Sequence, residues 1–596
     1  MSDNLGKLPQ WNLSDLYESP NSDQFNKDFE ELQAKVNDFE DTYKGNILLG
    51  DSDYKESIKL LKESLKSYED LINLIGKLSA YSTLYHVTNT GEPDRSKFYG
   101  DTHTRITEIS NKVIFYELEL NKLPDDILNK LLTDKDLIRY KPWFENIRKY
   151  QPHQLTDELE KVFQDKSITS FNAWNRLFDQ TISNMKVNLD GNLTSLEEAL
   201  NQLLSNKEEK RKAAFLSVSS KLQENISLFT HIMNTICQDK AISDKWRKYS
   251  NPEQSRHLAN NIEPEVINAL VGSVERNYKN TSHRYYALKA KLLNKTQLES
   301  WDRNAPLPDA NTKLIDWNEA KEIVIEAYEE FSVDIAIIVK KFFDNNWIDA
   351  RINEGKVNGA FAHPVTTDTH PYILLNYQGK PRDVMTLAHE LGHGVHQVLA
   401  SDLGPLLSDT PLTLAETASV FGEMLTYKKL VRKTENNLER KILLASKIED
   451  MINTVVRQIS FFKFEQLIHQ NRKAGELTGD DINNIWIETQ SASLGPAINM
   501  HEQHKYLWAY IPHFIHSPFY VYAYAFGDCL VNSLYSIYEN QPSNFVDKYM
   551  NLLSSGGSKH HKDLLRPFGL DASDPNFWDS GISLISRMID ELEKIS

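Results

Sequence analysis

Residues 384–400, VMTLAHELGHGVHQVLA, have the pattern of a helix with two unlike faces. Val384, Ala388, Leu391, Val395 and Val398 recur at steps of four and three and form one apolar stripe. At about 100° per residue, His389 and His393 leave the axis within about 40° of each other, nearly opposite that stripe. One face packs and the other faces a cleft. Gly392 and Gly394 each cost a helix interior about 1 kcal/mol relative to Ala. That cost makes sense where another part of the chain approaches closely.

Two imidazoles one turn apart suit zinc, which takes His nitrogen at about 2.0–2.1 Å and leaves a position for water in catalytic sites. The segment reads H-E-x-x-H, and chance supplies only about 0.04 such matches in a chain of this composition. Glu390 leaves the helix about a quarter-turn away, beside the metal position, where a carboxylate can take a proton from water. A third protein ligand must come from elsewhere. The metzincin pattern is excluded, because its Gly and third His would fall at positions occupied by His396 and Leu399. An acid on a following helix is preferred. Residues 412–430, LTLAETASVFGEMLTYKKL, offer Glu416 and Glu423 on one face; Glu416 is the expected ligand and Glu423 its supporting neighbour. His396, nearly a turn beyond His393, is expected in the core or behind the ligands.

Gly and Pro together number 44 of 596 residues, so turn punctuation is sparse and long helices are favoured. Two cysteines give no disulfide framework and favour a reducing compartment, hence a cytoplasmic setting. A net charge of −17 without a basic stripe excludes nucleic acid as a natural partner. The beginning, MSDNLGKLPQW, has neither a basic nor an apolar leader region. Residues 506–527 lack charge and are long enough to span a bilayer, but their histidines, prolines and tyrosines read as a buried wall.

Along the chain, Phe29, Leu32, Val36 and Phe39 predict a first helix, and residues 57–85 a second. Residues 99–123 and 125–146 predict two more, so 1–195 is expected to be a helical domain and 196–596 the domain carrying the chemistry. Asp190-Gly191 predicts a tight hairpin turn, with a helix capped at Thr194 or Ser195 directly after it. His257 is expected at a helix end or in the core. Residues 317–343 read as one long helix. The β-rich part is NGAFAH at 358–363 and PYILLNY at 371–377, then a Gly379 turn into the motif helix. An exposed strand edge there could pair with an extended peptide. In PHFIHSPFYVYAYAFG, Pro518 suits a first helical turn capped by Ser517, placing Tyr520 and Tyr524 on one face and Tyr522 on the other. A phenol or imidazole near the metal could stabilise charge on a carbonyl oxygen.

HELGH at 389–393, AETASVFGE at 415–423, GAFAHP at 359–364, PYILLNY at 371–377, IHSPFYVYAYAFG at 515–527, SSGGS at 554–558, RYYALKAKLL at 284–293 and WNLSDLY at 11–17 carry a resemblance over nearly the whole chain. The sequence resembles the oligoendopeptidase F group of thimet-oligopeptidase-like zinc metallopeptidases. That resemblance implies a mostly helical ellipsoid with a deep channel and a small sheet beside the zinc helix. It also implies cytosolic endopeptidase action on short, unstructured peptides and one zinc ion per chain. By position, His389, His393 and Glu416 match the ligands, Glu390 the base, and His516 with Tyr524 or Tyr520 the carbonyl-side helpers. HSPFY stands where thimet oligopeptidase has a glycine-rich loop, so which phenol acts stays open.

The resulting expectation is a zinc endopeptidase, with no nucleic-acid or membrane partner and an open oligomeric state. One rival is a zinc exopeptidase, although no G-x-M-E-N type segment is present to anchor a peptide terminus. Another is a helical peptide-binding scaffold with a structural zinc, which would have no use for Glu390.

Overall fold

The computed structural model describes residues 5–47, 54–308, 314–540 and 543–595 and is mostly helical, with three small sheets. The chain forms two compact units, each built from three stretches. The first comprises Met1–Gln151, Thr312–Lys433 and Gln541–Phe568; the second comprises Pro152–Asn311, Thr434–Asn540 and Gly569–Ser596. No helix among the described residues is long and apolar enough to cross a membrane.

The first unit opens with the two expected helices. Asp23–Tyr43 starts where Ser22 Oγ accepts the Phe25 N–H, and it buries Phe25, Phe29, Leu32, Val36 and Phe39. Tyr54–Val87 buries Leu61, Leu65, Tyr68 and Leu71 at the predicted steps. Residues 99–146 correct the expectation of two long helices. They form shorter pieces, Pro93–Ser110, Phe115–Leu120, Asp125–Leu131 and Lys141–Arg148. Pro124 sits in extended backbone immediately before one piece, where a residue without an N–H starts rather than continues a helix. Asp134 Oδ1 accepts the Asp136 N–H at 2.9 Å, a local turn that competes with helix between two others.

Residues 317–343 likewise split, into Trp317–Phe331 and Val333–Asp344. Ser332 is extended between them and caps the second helix, its Oγ accepting the Ile335 N–H. The apolar period runs through the break, so periodicity alone conceals it.

The sheet beside the motif helix has the order Ile348–Asp349, Tyr372–Leu374, Phe361–His363. Its fully buried central strand is parallel to the first and antiparallel to the third, with Ala362 opposite Ile373. Phe361–His363 is therefore an edge strand. The two predicted strands are present but shorter than expected, and Ile348–Asp349 is an addition. Lys356 pins the group from inside: its buried Nζ bonds Asp349 Oδ1 at 2.6 Å and the carbonyls of Arg351 and Leu375 at 2.6 and 2.9 Å. Gly379, at φ 83°, turns the chain into the motif helix, Pro381–Ala400, with Pro at its start.

In the second unit, Lys186–Leu189 pairs with Asn192–Ser195. Asp190 and Gly191 both have positive φ, 51° and 87°, as a two-residue hairpin turn demands. Ser195 then caps Leu196–Asn201 by a reciprocal pair of bonds with Glu198. His257 is buried, with Nδ1 3.1 Å from the Tyr522 hydroxyl, the expected core placement. The helix expected to begin at Pro518 begins at Tyr522 instead. Phe519 is left-handed at φ 61°, with its ring buried and its N–H given to Glu465 Oε1 at 2.8 Å, so the backbone there cannot be helical.

Candidate metal centre

The motif helix buries Val384, Ala388, Leu391 and Val395 and turns its histidines the other way. The partner on that side is the glutamate helix, Leu412–Lys433. Close approach of the two depends on Gly392. A Cβ there would lie 2.6 Å from Ser419 Cα and would strike the Ala418 carbonyl. Gly394 makes room for the Phe342 ring, whose nearest atom would be 2.5 Å away.

This approach brings Glu416 Oε2 to 3.4 Å from His389 Nε2 and 3.6 Å from His393 Nε2. Two donors bound to one tetrahedral zinc at about 2.0–2.1 Å stand about 3.3–3.4 Å apart. Donor types and spacing therefore fit that ion, and the three ligand atoms all lie within 4.8 Å of one another. Glu416 is held in place by Ser419, which donates to Oε2 at 2.6 Å. On the far side of His389, Nδ1 lies 3.2 Å from Glu423 Oε2. A carboxylate at Nδ1 fixes the tautomer that leaves Nε2 free to ligate.

Electrostatics without a metal follow from three acids around two imidazoles. Burial pushes His389 down, but the bond to Glu423 and the charges of Glu416, Glu423 and Glu390 prevail and hold it up at about 9. Burial dominates at His393 and lowers it, helped by His389 and opposed by Glu416. Burial raises Glu416, yet the two histidines and Ser419 outweigh it and leave the carboxyl below its usual range. Glu390 is pushed up to about 7 by burial, with His389 pulling down, Glu416 and Glu423 pushing up, and the Ala362 N–H of the edge strand pulling down. A ligating imidazole must be neutral, so a cation held there would displace a proton from His389.

The profile described as Peptidase family M3 matches residues 202–584, and the one described as Oligopeptidase F matches residues 119–186. The chain belongs to peptidase family M3. This M3 peptidase is 27% identical to Oligopeptidase PepF of Bacillus subtilis over 98% of its own length and 87% of that protein. It is 26% identical to an oligoendopeptidase F homolog of Lactococcus lactis subsp. lactis, over 98% and 97%. The crystal structure of oligoendopeptidase-F from Enterococcus faecium shares its fold at a TM-score of 0.71 and 21% identity, covering 96% and 98% of the two chains.

Beside the three donors, the M3 chain has a cavity of about 510 Å³ with His393 in its wall. Trp347, Val365, Thr366, Gln397 and Asp409 also line it. Val365 holds φ 62°, a costly conformation for a β-branched residue. His396 lies in the same wall, buried, neutral because burial lowers it to about 4, and 3.3 Å from Thr410 Oγ1. Expected in the core or behind the ligands, it is buried in the cavity wall.

Tyr520, Tyr524 and His516 belong to the second unit. The rings of Tyr520 and Tyr524 stand 5.3 Å apart and Tyr522 points into the core, so the predicted facing survives although the helix starts later. His513 Nε2 reaches the Tyr524 hydroxyl at 3.3 Å, whereas His516 Nε2 is turned to Asp179 Oδ1 at 2.8 Å. Sequence reasoning did not single out Ser419, the Ala362 N–H, or Arg256, whose guanidinium lies 5.6 Å from the centre of the Tyr520 ring. Ser419 was findable as the i+3 neighbour of Glu416. The other two depend on tertiary placement.

Proposed function

We propose that this M3 peptidase is a zinc-dependent endopeptidase of short, unstructured peptides, with His389, His393 and Glu416 holding one zinc ion. The observation that carries this reading is the convergence of three donors at tetrahedral spacing with Glu390 beside them. When bound, zinc would supply the Lewis acidity that polarises a scissile carbonyl and acidifies water. Glu390 then accepts a proton from the attacking water and returns it to the departing nitrogen. Burial raises its carboxyl above the ordinary range before any metal binds, which favours proton uptake.

The edge strand Phe361–His363 pairs with the extended backbone of the substrate, and the cavity beside His393 receives one of its side chains. Glu423 orients His389. Tyr520, Tyr524 and His516 are the residues whose replacement tests for a donor to the carbonyl oxygen as negative charge develops there. Tyr520→Phe and Tyr524→Phe, measured separately, identify the donor as the variant that loses kcat with KM retained. A cytoplasmic setting accords with two cysteines that are both free and buried.

Glu390→Gln tests the reading. It should retain zinc while lowering kcat on an internally quenched peptide by at least about 100-fold. A variant that cleaves at near wild-type rate contradicts the assignment. Cleavage in the middle of a peptide blocked at both ends separates an endopeptidase from an exopeptidase.

A further inference from the structure

In the second unit, Trp301, Arg303, Arg457, Trp486, His504 and Tyr510 surround a pocket of about 40 Å³. No Asp or Glu among the described residues lines it. Among the described residues, neither Arg303 nor Arg457 has an ion-pair partner. Four neighbouring acids are committed elsewhere. Asp302 accepts from Arg211 and from Lys295, each at 2.6 Å. Glu208 pairs with Lys295 at 2.6 Å, Glu299 with His501 at 2.7 Å, and Glu449 with the buried Lys289.

Two guanidinium groups thus share one aromatic-walled pocket without a counter-charge among the described residues. Burial and the neighbouring charge of Arg303 hold Arg457 well below the usual arginine range, with Tyr510 opposing the shift. Such an arrangement costs free energy unless an anion enters, because half-buried like charges raise each other's energy. The geometry also supplies a neutral donor. His504 is only 5% exposed and its Nδ1 has no hydrogen-bond partner. A neutral imidazole can carry its proton there. Arg457 is held in orientation by the Phe461 ring, 4.8 Å from its guanidinium carbon.

We infer that this pocket binds a small anion, clasped by Arg303 and Arg457 with His504 as an additional donor. Its size selects the ligand. One water needs about 10–15 Å³ of such space, so the pocket takes a halide, a nitrate or one carboxylate group and excludes a nucleotide. The carboxylate could belong to a free ion or to a peptide. The inference stands apart from the metal reading, since none of its residues is a proposed ligand or proton carrier there.

The test is the thermal unfolding midpoint of the full-length protein as chloride, nitrate or acetate replaces a bulky sulfonate at constant ionic strength. Selective binding to the native state predicts a saturable rise. Arg457→Gln should move the half-saturation concentration at least tenfold higher. Arg303→Lys, which keeps the charge but loses the forked donor, should weaken it several-fold and decides the matter if the first variant does not fold. A midpoint that follows total salt alone, or an unchanged titration in the variants, overturns the inference.

The two sources are then distinguished on Glu390→Gln protein with a short peptide bearing a free or an amidated C-terminus. If only the free acid raises the half-saturation for chloride, the pocket reads a peptide carboxylate. If neither form does, it serves free ions.

Discussion

At the scale of single residues, the site obeys distances that a helix imposes before any tertiary contact forms. His389, Glu390 and His393 were legible because their geometry is local, and Glu416 because a face of one predicted helix offered it. What was not legible was orientation, which comes from packing. His516 and His513 are equally plausible in the sequence, yet one meets Asp179 and the other Tyr524. Glu465 shows a similar limit. It reads as an ordinary helical acid, but it is buried with Oε2 unpartnered, and burial pushes it up to about 8 against an ordinary 4.5. The Phe519 N–H and Arg256 only partly offset the shift. Between those values the native state keeps a proton that the unfolded chain releases, so stability falls as pH rises from about 4.5 to about 8, by at most about 1.4 kcal/mol per pH unit. Glu465→Gln keeps an acceptor for Phe519 and removes the titration. Its melting temperature should therefore decline less than that of the wild type between pH 5 and pH 9. Equal declines would contradict the buried, protonated state.

At the scale of elements, the motif helix and the glutamate helix bring their candidate donors together only because Gly392 leaves no side chain between them. The sequence signalled a close approach through the glycine, and the structure supplies the neighbour. Gly392→Ala should destabilise the protein by about 1–3 kcal/mol, because a backbone carbonyl cannot swing aside as a flexible side chain can. It should also weaken zinc binding by spreading the donors. Gly475→Ala, whose added methyl meets open space, serves as the control and should shift stability by no more than about 0.5 kcal/mol. Equal melting temperatures for the two variants would show that the helices do not depend on that approach. Predicted elements failed where capping chemistry interrupts a continuous apolar period, at Ser332 and at Asp134. They succeeded where turn chemistry is unambiguous, at Asp190-Gly191.

At the scale of the whole molecule, each unit draws on three separated stretches of chain. Periodicity tells which residues turn inward but not which distant helix they meet, so this interleaving was out of reach of local reasoning. It has a consequence for truncation. Pro575–Lys594 buries Phe577, Trp578, Ile582, Ile585, Ile589 and Leu592 in the second unit. Six large side chains at about 1.5–3 kcal/mol each amount to as much as a whole domain's usual net stability of about 5–15 kcal/mol. A chain ending at Phe568 should lose the cooperative melting of that unit, seen as a reduced helical signal by circular dichroism. Retention of the full transition would contradict the division.

The central claim is that three side chains from two helices hold one ion. Zinc titration of the metal-stripped, full-length protein tests it most directly. One tightly held zinc per chain is expected and, in Glu416→Ala, an affinity lowered by at least about 100-fold with the fold retained. Equal affinity in the wild type and in Glu416→Ala would contradict it.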